Sequence, residues 1–348
     1  SKYRQVIEYF NAFRIGLTAT PAPHTISIFG RPVYEYSYPK AVIDGYLTGY
    51  EPPYLIKTEL SESGITWGEG ENIKVYNRQS GEIENLESIE DEVTVEIAGF
   101  NKRVITESFN KTVLRELVNH LSPDGPDKTL IFAASNDHAA DVVRWFKEVF
   151  TEMDIEMDDN AIKQITGSVD KPQDLLKHYK NERFPTIVVT VDLLTTAIDV
   201  PTICNLVFLR RVNSRILYEQ MLGRATRLCP EINKESFRIF DAVGVYQNLE
   251  DYTNMKPSVV KPNTNFTGLV EEFAKIEAIE KEETRVRAQE KQVEQLVAKL
   301  NRKKRSITSE QEDNFQKLSG GISSDDFVQQ IREKDREASV DYIQKHKK

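Results

Sequence analysis

The sequence predicts an α/β protein: a parallel sheet covered by helices, preceded by a β-hairpin insertion and followed by a C-terminal α-helical region. Three observations carry this expectation. Between residues 101 and 246, short apolar runs rich in β-branched residues alternate with amphipathic runs, the pattern of a parallel sheet buried on both faces. Between 22 and 100, tyrosines, β-branched residues and turn signals alternate instead, as in PPYLIKTELSESGITWGEGENIKVYN at 52–77, which reads as hairpins. Beyond Pro257 and Pro262 the composition becomes charged and helical.

Taken in order, SKYRQVIEYFN predicts a short helix over about 2–11, and FRIGLTATP (13–21) a buried strand closed by small hydroxyl residues and proline. One helix and one strand do not make a domain, so residues 1–21 are expected to be the trailing edge of a domain that begins before this chain. Residues 22–100 form the β-rich connector; Trp67 and its neighbouring tyrosines are expected to pack there rather than to stack on bases. The regular segment, 101–262, predicts a helix over about 101–121, the strand TLIFAAS (129–135), a helix over 136–150, the strand AIKQITG (161–167) and a helix over 172–181. The strands TIVVTV (186–191) and CNLVFL (204–209), a helix over 214–223 and the strand FRIFDAV (237–243) complete it. In the helical region, 263–348, one long charged helix is expected over 269–305. Its apolar stripe is Val286, Val293, Leu296, Val297 and Leu300. Its basic end, NRKKR (301–305), reads as a solvated helix C-terminus more readily than as a phosphate contact. LSGGISSDDFVQQIREKD (318–335) then offers a glycine break, a Ser/Asp cap and another helix.

Composition narrows the function classes. The 348 residues give room for about two domains. A net charge of −9 disfavours indiscriminate binding to nucleic acid. The charge is uneven, however: acidic residues gather at 82–96 and 152–159, whereas LRRVNSRILYEQMLGRATR (209–227) holds five arginines against one glutamate. That leaves a local basic site. Cys204 and Cys229 have no Cys or His companion at ligand spacing, so they read as reduced core thiols and no metal site is expected. No run approaches the ~18 apolar residues of a membrane span, and the N-terminus lacks a signal peptide's apolar centre. A cytoplasmic protein without a membrane partner is the expectation.

Candidate functional residues concentrate in YEQMLGRATRL (218–228). Helical spacing sets Gln220, Arg224 and Arg227 on one face, with Gly223 between them, so an anion is expected in front. Two further clusters, LTATP (17–21) and TVDLLTTAIDVP (190–201), also stand at predicted strand ends. Ligands of open parallel sheets gather at the carboxyl ends of strands, and the site is expected there. Arg210, Arg211 and Arg215 are expected either to line an interdomain cleft or to pair with the acidic loops.

In this order, LTATP, TVDLLTTAIDVP and QMLGRATRL resemble motifs III, V and VI of superfamily 2 helicases and translocases, with TLIFAAS as motif IV. Longer stretches resemble the R (HsdR) motor subunit of type I restriction enzymes: VITESFN (104–110), ITGSVDKP (165–172), 189–230 and FRIFDAV. The resemblance covers roughly residues 1–262 well and the helical tail more loosely. It implies a RecA-like second motor lobe in a protein that joins a nuclease domain to a two-lobed ATPase pumping double-stranded DNA. The helical region would dock on the methyltransferase and specificity subunits.

The same resemblance implies roles residue by residue. Arg224 and Arg227 would be sensor and finger toward a γ-phosphate, Gln220 would join their network, and Gly223 and Asp199 would belong to the nucleotide site. Asp199 would meet ribose hydroxyls or the arginines themselves. Thr190 and Thr196 would touch DNA phosphates. Thr18 and Thr20 would couple the nucleotide site to the DNA track. Ala197 stands where relatives commonly have glycine.

The implied cofactors are ATP and Mg²⁺, held mainly by the first lobe, with none expected bound to this chain. The sequence contains no G-x-x-x-x-G-K-[ST], no DEAH-type carboxylate pair, no paired carboxylates with lysine of nuclease type and no methyltransferase motif. The chain is therefore expected to be a fragment that alone neither hydrolyses ATP nor cuts DNA. Two alternatives stay open: a superfamily 2 DNA-repair helicase, and a non-catalytic scaffold of the same fold.

Overall fold

The computed structural model describes residues 5–6, 9–13, 15–19, 23–56, 65–67, 73–76, 83–86, 93–95, 107–191, 199–257, 265–304 and 307–346, with backbone alone for 23–24 and the four segments between 65 and 95. Seven parallel strands form the main sheet. Their order is β1 (Gly49–Tyr50), β11 (Ser236–Asp241), β10 (Ile203–Phe208), β7 (Lys128–Phe132), β9 (Ile187–Thr190) and β8 (Ile162–Gln164), with β2 (Tyr54–Leu55) also on β11. Every residue of β7, β9 and β10 is buried, as continuous apolar runs in a sheet covered on both faces require. Each Val, Leu, Ile or Phe so buried contributes about 1.5–3 kcal/mol relative to exposure.

The covering helices follow the expected alternation. They are α3 (Glu107–Val118), α4 (Asn136–Glu152), α5 (Pro172–Asn181), α6 (Arg215–Leu222) and α7 (Val245–Leu249), after α1 (Pro23–Phe29) and α2 (Tyr38–Ile43). Local signals set their starts. Ser135 caps α4 by accepting from the His138 N–H, Ser214 caps α6 by accepting from the Leu217 N–H, and Pro172 opens α5. Inside, Trp145, Phe146 and Phe150 of α4 are fully buried, and Phe132 stacks on Phe208 with ring centroids 5.3 Å apart.

Part of the connector belongs to the sheet, which the sequence did not reveal. β1 and β2 both lie along β11, Gly49 opposite Ser236 and Leu55 opposite Asp241. Pro52 and Pro53 separate them, and proline cannot donate to a ladder, so one edge strand is divided into two stubs too short to read as strands. The expected hairpin follows. β3 (Ile65–Trp67) pairs antiparallel with β6 (Val93–Val95), and β4 (Ile73–Tyr76) with β5 (Ile83–Leu86) nested inside.

Among the described residues of the stretch 13–21, the expected strand is not formed. Residues 11–13 and 15–19 have no strand backbone, and Leu17 is 95% exposed. A strand needs a neighbour for its N–H and C=O groups, and none of the described strands lies beside it.

The helical region has its own core, formed by Leu269, Phe273, Leu296, Val297, Phe327, Val328, Ile331, Val340 and Ile343. The single helix expected over 269–305 is two, α8 (Phe266–Glu277) and α9 (Glu282–Lys304). The break lets Leu269 and Phe273 fold back onto Leu296 and Val297, so tertiary burial outweighs the helix-forming residues between. Arg285 Nη1 donates to the Ile279 carbonyl at 3.1 Å and fixes the turn. α10 (Ser309–Leu318), α11 (Ser324–Glu333) and α12 (Arg336–Lys345) complete the region, with Ser323 capping α11 as expected.

The basic end of α9 is docked rather than solvated. Lys303 Nζ is 2.6 Å and Lys299 Nζ 3.7 Å from the Glu235 carboxylate, and Lys304 pairs with Asp325. Gly45, at φ +72°, lets the chain after α2 approach Asn301, where a Cβ would come within 3.0 Å of the Asn301 Cβ.

Candidate functional site

α6 starts a few residues after the carboxyl end of β10 and runs back along the sheet, so its last turn is delivered to the amino ends of the strands. Lys234, just before β11, donates from Nζ to the carbonyls of Ala225 (2.9 Å), Pro201 (2.9 Å) and Ile203 (2.5 Å), the last being the first residue of β10. The Thr48 N–H, just before β1, donates to the Thr226 carbonyl at 2.6 Å. The arginine cluster thus lies at the amino edge of the sheet, not at the carboxyl ends where the sequence placed it. The reason is the antiparallel run of α6, which carries residues from one edge to the other.

The arginines are also not on the helix itself. α6 ends at Leu222, capped at Gly223, and the next amides make tighter i→i−3 bonds, Arg224 to Met221 and Ala225 to Leu222. Residues 224–228 form an irregular turn, so the shared helical face expected for Gln220, Arg224 and Arg227 exists only at exposed Gln220. The turn curls back on the helix end: Thr226 Oγ1 (3.1 Å) and Arg227 Nη1 (3.0 Å) both donate to the Gly223 carbonyl. A side chain at Gly223 would meet the Glu219 carbonyl at 3.3 Å.

Asp199 faces this turn. Its Oδ1 pairs with Arg227 Nε and its Oδ2 lies 3.4 Å from Lys180 Nζ, at the end of α5. Desolvation raises the carboxyl's pKa, but the charges of Arg227 and Lys180 overcome it and hold Asp199 below its ordinary value. Arg224 is half-buried; desolvation first, and the Arg227 charge second, lower its pKa, although a guanidinium stays charged. Two fixed positive charges, one carboxylate and a lysine therefore share a partly open edge, an arrangement fit to exchange an internal anion for an external one.

The remaining expected residues fall elsewhere. Thr190, the last residue of β9, is fully buried at the opposite edge, so its hydroxyl is not offered to a DNA backbone in this arrangement. Burial between neighbouring strands is the reason: Ala133 N–H donates to the Thr190 carbonyl and continues the β7–β9 ladder past its end. Thr196 and Ala197 lie outside the described residues, as does Thr20, while Thr18 is on the exposed, non-strand segment. Arg210 Nη1 donates to the Val191 carbonyl at 3.0 Å and Arg215 pairs with Glu219 at 2.8 Å, so neither meets the acidic loops through these contacts. Cys204 and Cys229 are free and buried, and burial pushes the Cys204 thiol up to about 12. Among the described residues no group of three metal-ligating side chains occurs, and no helix is long and apolar enough to cross a membrane.

Sequence reading missed Thr48, Lys180 and Lys234. The packing of β1 brings Thr48 and the return of α6 brings Lys234 to the arginine turn, while the end of α5 brings Lys180 to Asp199.

Comparison with known proteins agrees with this architecture. A model of the helicase conserved C-terminal domain matches residues 111–229. The endonuclease subunit of the type I restriction enzyme EcoKI from Escherichia coli (strain K12) is 42% identical over 362 residues, covering 99% of this chain and 31% of that subunit. The EcoAI endonuclease subunit from Escherichia coli is 29% identical over 250 residues, covering 69% of this chain and 29% of that subunit. The chain spans about a third of the length of these relatives. A fragment structure assigned to an HsdR subunit of a type I restriction enzyme from Vibrio vulnificus YJ016 shares the fold, with a TM-score of 0.55, 24% identity, 74% of this chain and 45% of that one covered.

Proposed function

Because this chain belongs with the endonuclease (R) subunits of type I restriction enzymes and carries a helicase-type C-terminal lobe, we propose that it is the second RecA-like lobe of their ATP-driven double-stranded DNA translocase. The observation that carries the reading is the amino-edge cluster: Arg224 and Arg227 on one turn, with Asp199 pairing Arg227. Phosphoryl transfer is helped chiefly by positioning and by positive charge against the γ-phosphate, and arginine supplies both in a rigid, permanently charged fork. In this reading the lobe contributes the arginines, while bound ATP supplies the transferable phosphoryl group. The residues present fit that half of a nucleotide site. They do not include a phosphate-cradling loop or Mg²⁺ carboxylates, which belong in this proposal to the first lobe.

Arg227 would leave Asp199 and the Gly223 carbonyl for phosphate when the lobes close. Gln220, exposed on the last turn of α6, would join them in this reading on the motif resemblance alone. Thr196 is retained as a DNA-phosphate contact and Thr18 and Thr20 as coupling residues, on the motif resemblance alone. Thr190 acts in this reading as a buried strand end. The helical region, 263–348, is proposed to dock on the methyltransferase and specificity subunits. On its own the chain would neither hydrolyse ATP nor cut DNA.

A triplex-displacement assay on the complete subunit in its assembly tests the reading against strand separation. A translocase strips a third strand from duplex DNA in an ATP-dependent way without releasing single strands. Release of single strands would instead assign the lobe to a repair-type helicase, and no ATP-dependent displacement of either kind would make it a scaffold.

A further inference from the structure

Three consecutive carbonyls of the arginine turn are held from outside it. Lys234 Nζ donates to the Ala225 carbonyl at 2.9 Å, the Thr48 N–H to the Thr226 carbonyl at 2.6 Å, and Thr48 Oγ1 to the Arg227 carbonyl at 3.0 Å. Thr48 is fully buried, and its own carbonyl accepts from Tyr38 Oη at 3.1 Å, so it is fixed from both sides. The other two Lys234 hydrogen bonds reach the carbonyls of Pro201 and Ile203, two and four residues after Asp199. One ammonium therefore ties the segment bearing Asp199 to the segment bearing Arg224 and Arg227.

Nothing in regular secondary structure would do this. The segment lies beyond α6 and before the short 3₁₀ turn Pro230–Ile232. An arginine side chain has four rotatable bonds, so its fork can be aimed reproducibly only if the backbone that carries it does not move.

We infer that Thr48 and Lys234 are positioning residues for the paired arginines: together they clamp the backbone from residue 225 to 227 and lock it in register with the Asp199 segment. The inference rests on the motor-lobe reading for its consequence, but not for its geometry. Neither residue touches the anion; both act through Arg224 and Arg227.

The test uses the complete subunit, with Thr48→Val, which removes the hydroxyl at nearly equal volume, Thr48→Ser, which restores it, and Lys234→Met. Hydrogen exchange is read at the peptide spanning 220–229, and DNA-stimulated ATP turnover is resolved into kcat and KM. Thr48→Val is expected to speed exchange in that peptide and to lower kcat about ten- to a hundredfold, as small misplacements of reacting groups do. KM for ATP should stay within about twofold, the mark of an interaction realised in the transition state. Thr48→Ser should recover both. Should Thr48→Val fail to fold, Lys234→Met is expected to give the same pair of changes.

Exchange unchanged from wild type in the variants, or faster exchange with unchanged kcat, overturns the positioning role. So does a Thr48→Ser variant that behaves like Thr48→Val. Wild-type turnover that is absent, or indifferent to Arg224→Ala, overturns instead the motor reading; the exchange measurement still decides whether the clamp exists.

Discussion

Arg227 and Asp199 form an ion pair at the amino edge of the sheet, with side chains 36% and 52% exposed. The arginine is thereby held within its own lobe, yet by a partner open to water. Pairs of that kind contribute only about 0–1 kcal/mol, so little opposes their separation. In the proposed reading Arg227 would exchange this carboxylate for phosphate, and a pair this weak leaves it able to do so.

Asp199→Asn should accordingly cost this chain no more than about 1 kcal/mol of stability. Because the folded carboxyl titrates below its ordinary 3.8, whatever stability the pair provides is present above that pH and fades as pH falls through the lowered value. Urea midpoints at pH 7 for wild type and Asp199→Asn check this. A loss of several kcal/mol would show the pair to be a structural strut rather than a releasable contact.

His138 makes the lobe acid-sensitive. The Ala134 N–H donates to His138 Nδ1 at 3.1 Å, which leaves Nε2 to donate to Asn110 Oδ1 at 3.1 Å, so the ring is neutral. Burial pushes its pKa down to about 3 from 6.5. Below pH 6.5 the unfolded chain binds a proton that the folded chain does not, so stability falls as pH drops, by about 1.4 kcal/mol per unit at most. His138→Gln should flatten the difference in urea midpoint between pH 7 and pH 5.5. An equal slope in wild type and variant would remove His138 from the acid response.

Lys128 is a second buried ammonium with three carbonyl acceptors: Tyr179, Glu182 at 2.7 Å and Pro185 at 3.1 Å. It fastens the end of α5 and the loop into β9 to the start of β7. Lys128→Met leaves these buried acceptors without their donor and should destabilise the chain by about 2–3 kcal/mol, with an unchanged denaturant slope. A midpoint shift no larger than that of the exposed control Lys177→Met would contradict this account.

The contrast between α5 and the arginine turn shows what the sequence could convey. Pro172 and the apolar spacing after it define α5 over 172–181 from local information alone, and the structure agrees to the residue. The central strands were legible for the same reason, since burial on both faces demands continuous apolar runs. Edge strands β1 and β2 were not legible, because Pro52 and Pro53 reduce them to two residues each and their pairing with β11 is remote in sequence. The residues around Arg224 stood out in the sequence as a concentration of arginine, but their geometry did not. Residues 224–227 leave α6 in a turn whose carbonyls meet Thr48 and Lys234, and no periodicity encodes a hydrogen bond across 179 positions, as between Thr48 and Arg227. The break in the helix expected over 269–305 was hidden likewise, because Phe273 meets Leu296 and Val297 only after the chain has turned.

If the paired arginines serve ATP hydrolysis, duplex-stimulated ATP turnover by the complete subunit must separate wild type from Arg224→Ala. Turnover should rise with duplex DNA and fall by about 10³ or more in the variant, the scale of a lost arginine finger. Turnover that is absent, or that stays within a few-fold of wild type in Arg224→Ala, would contradict that role.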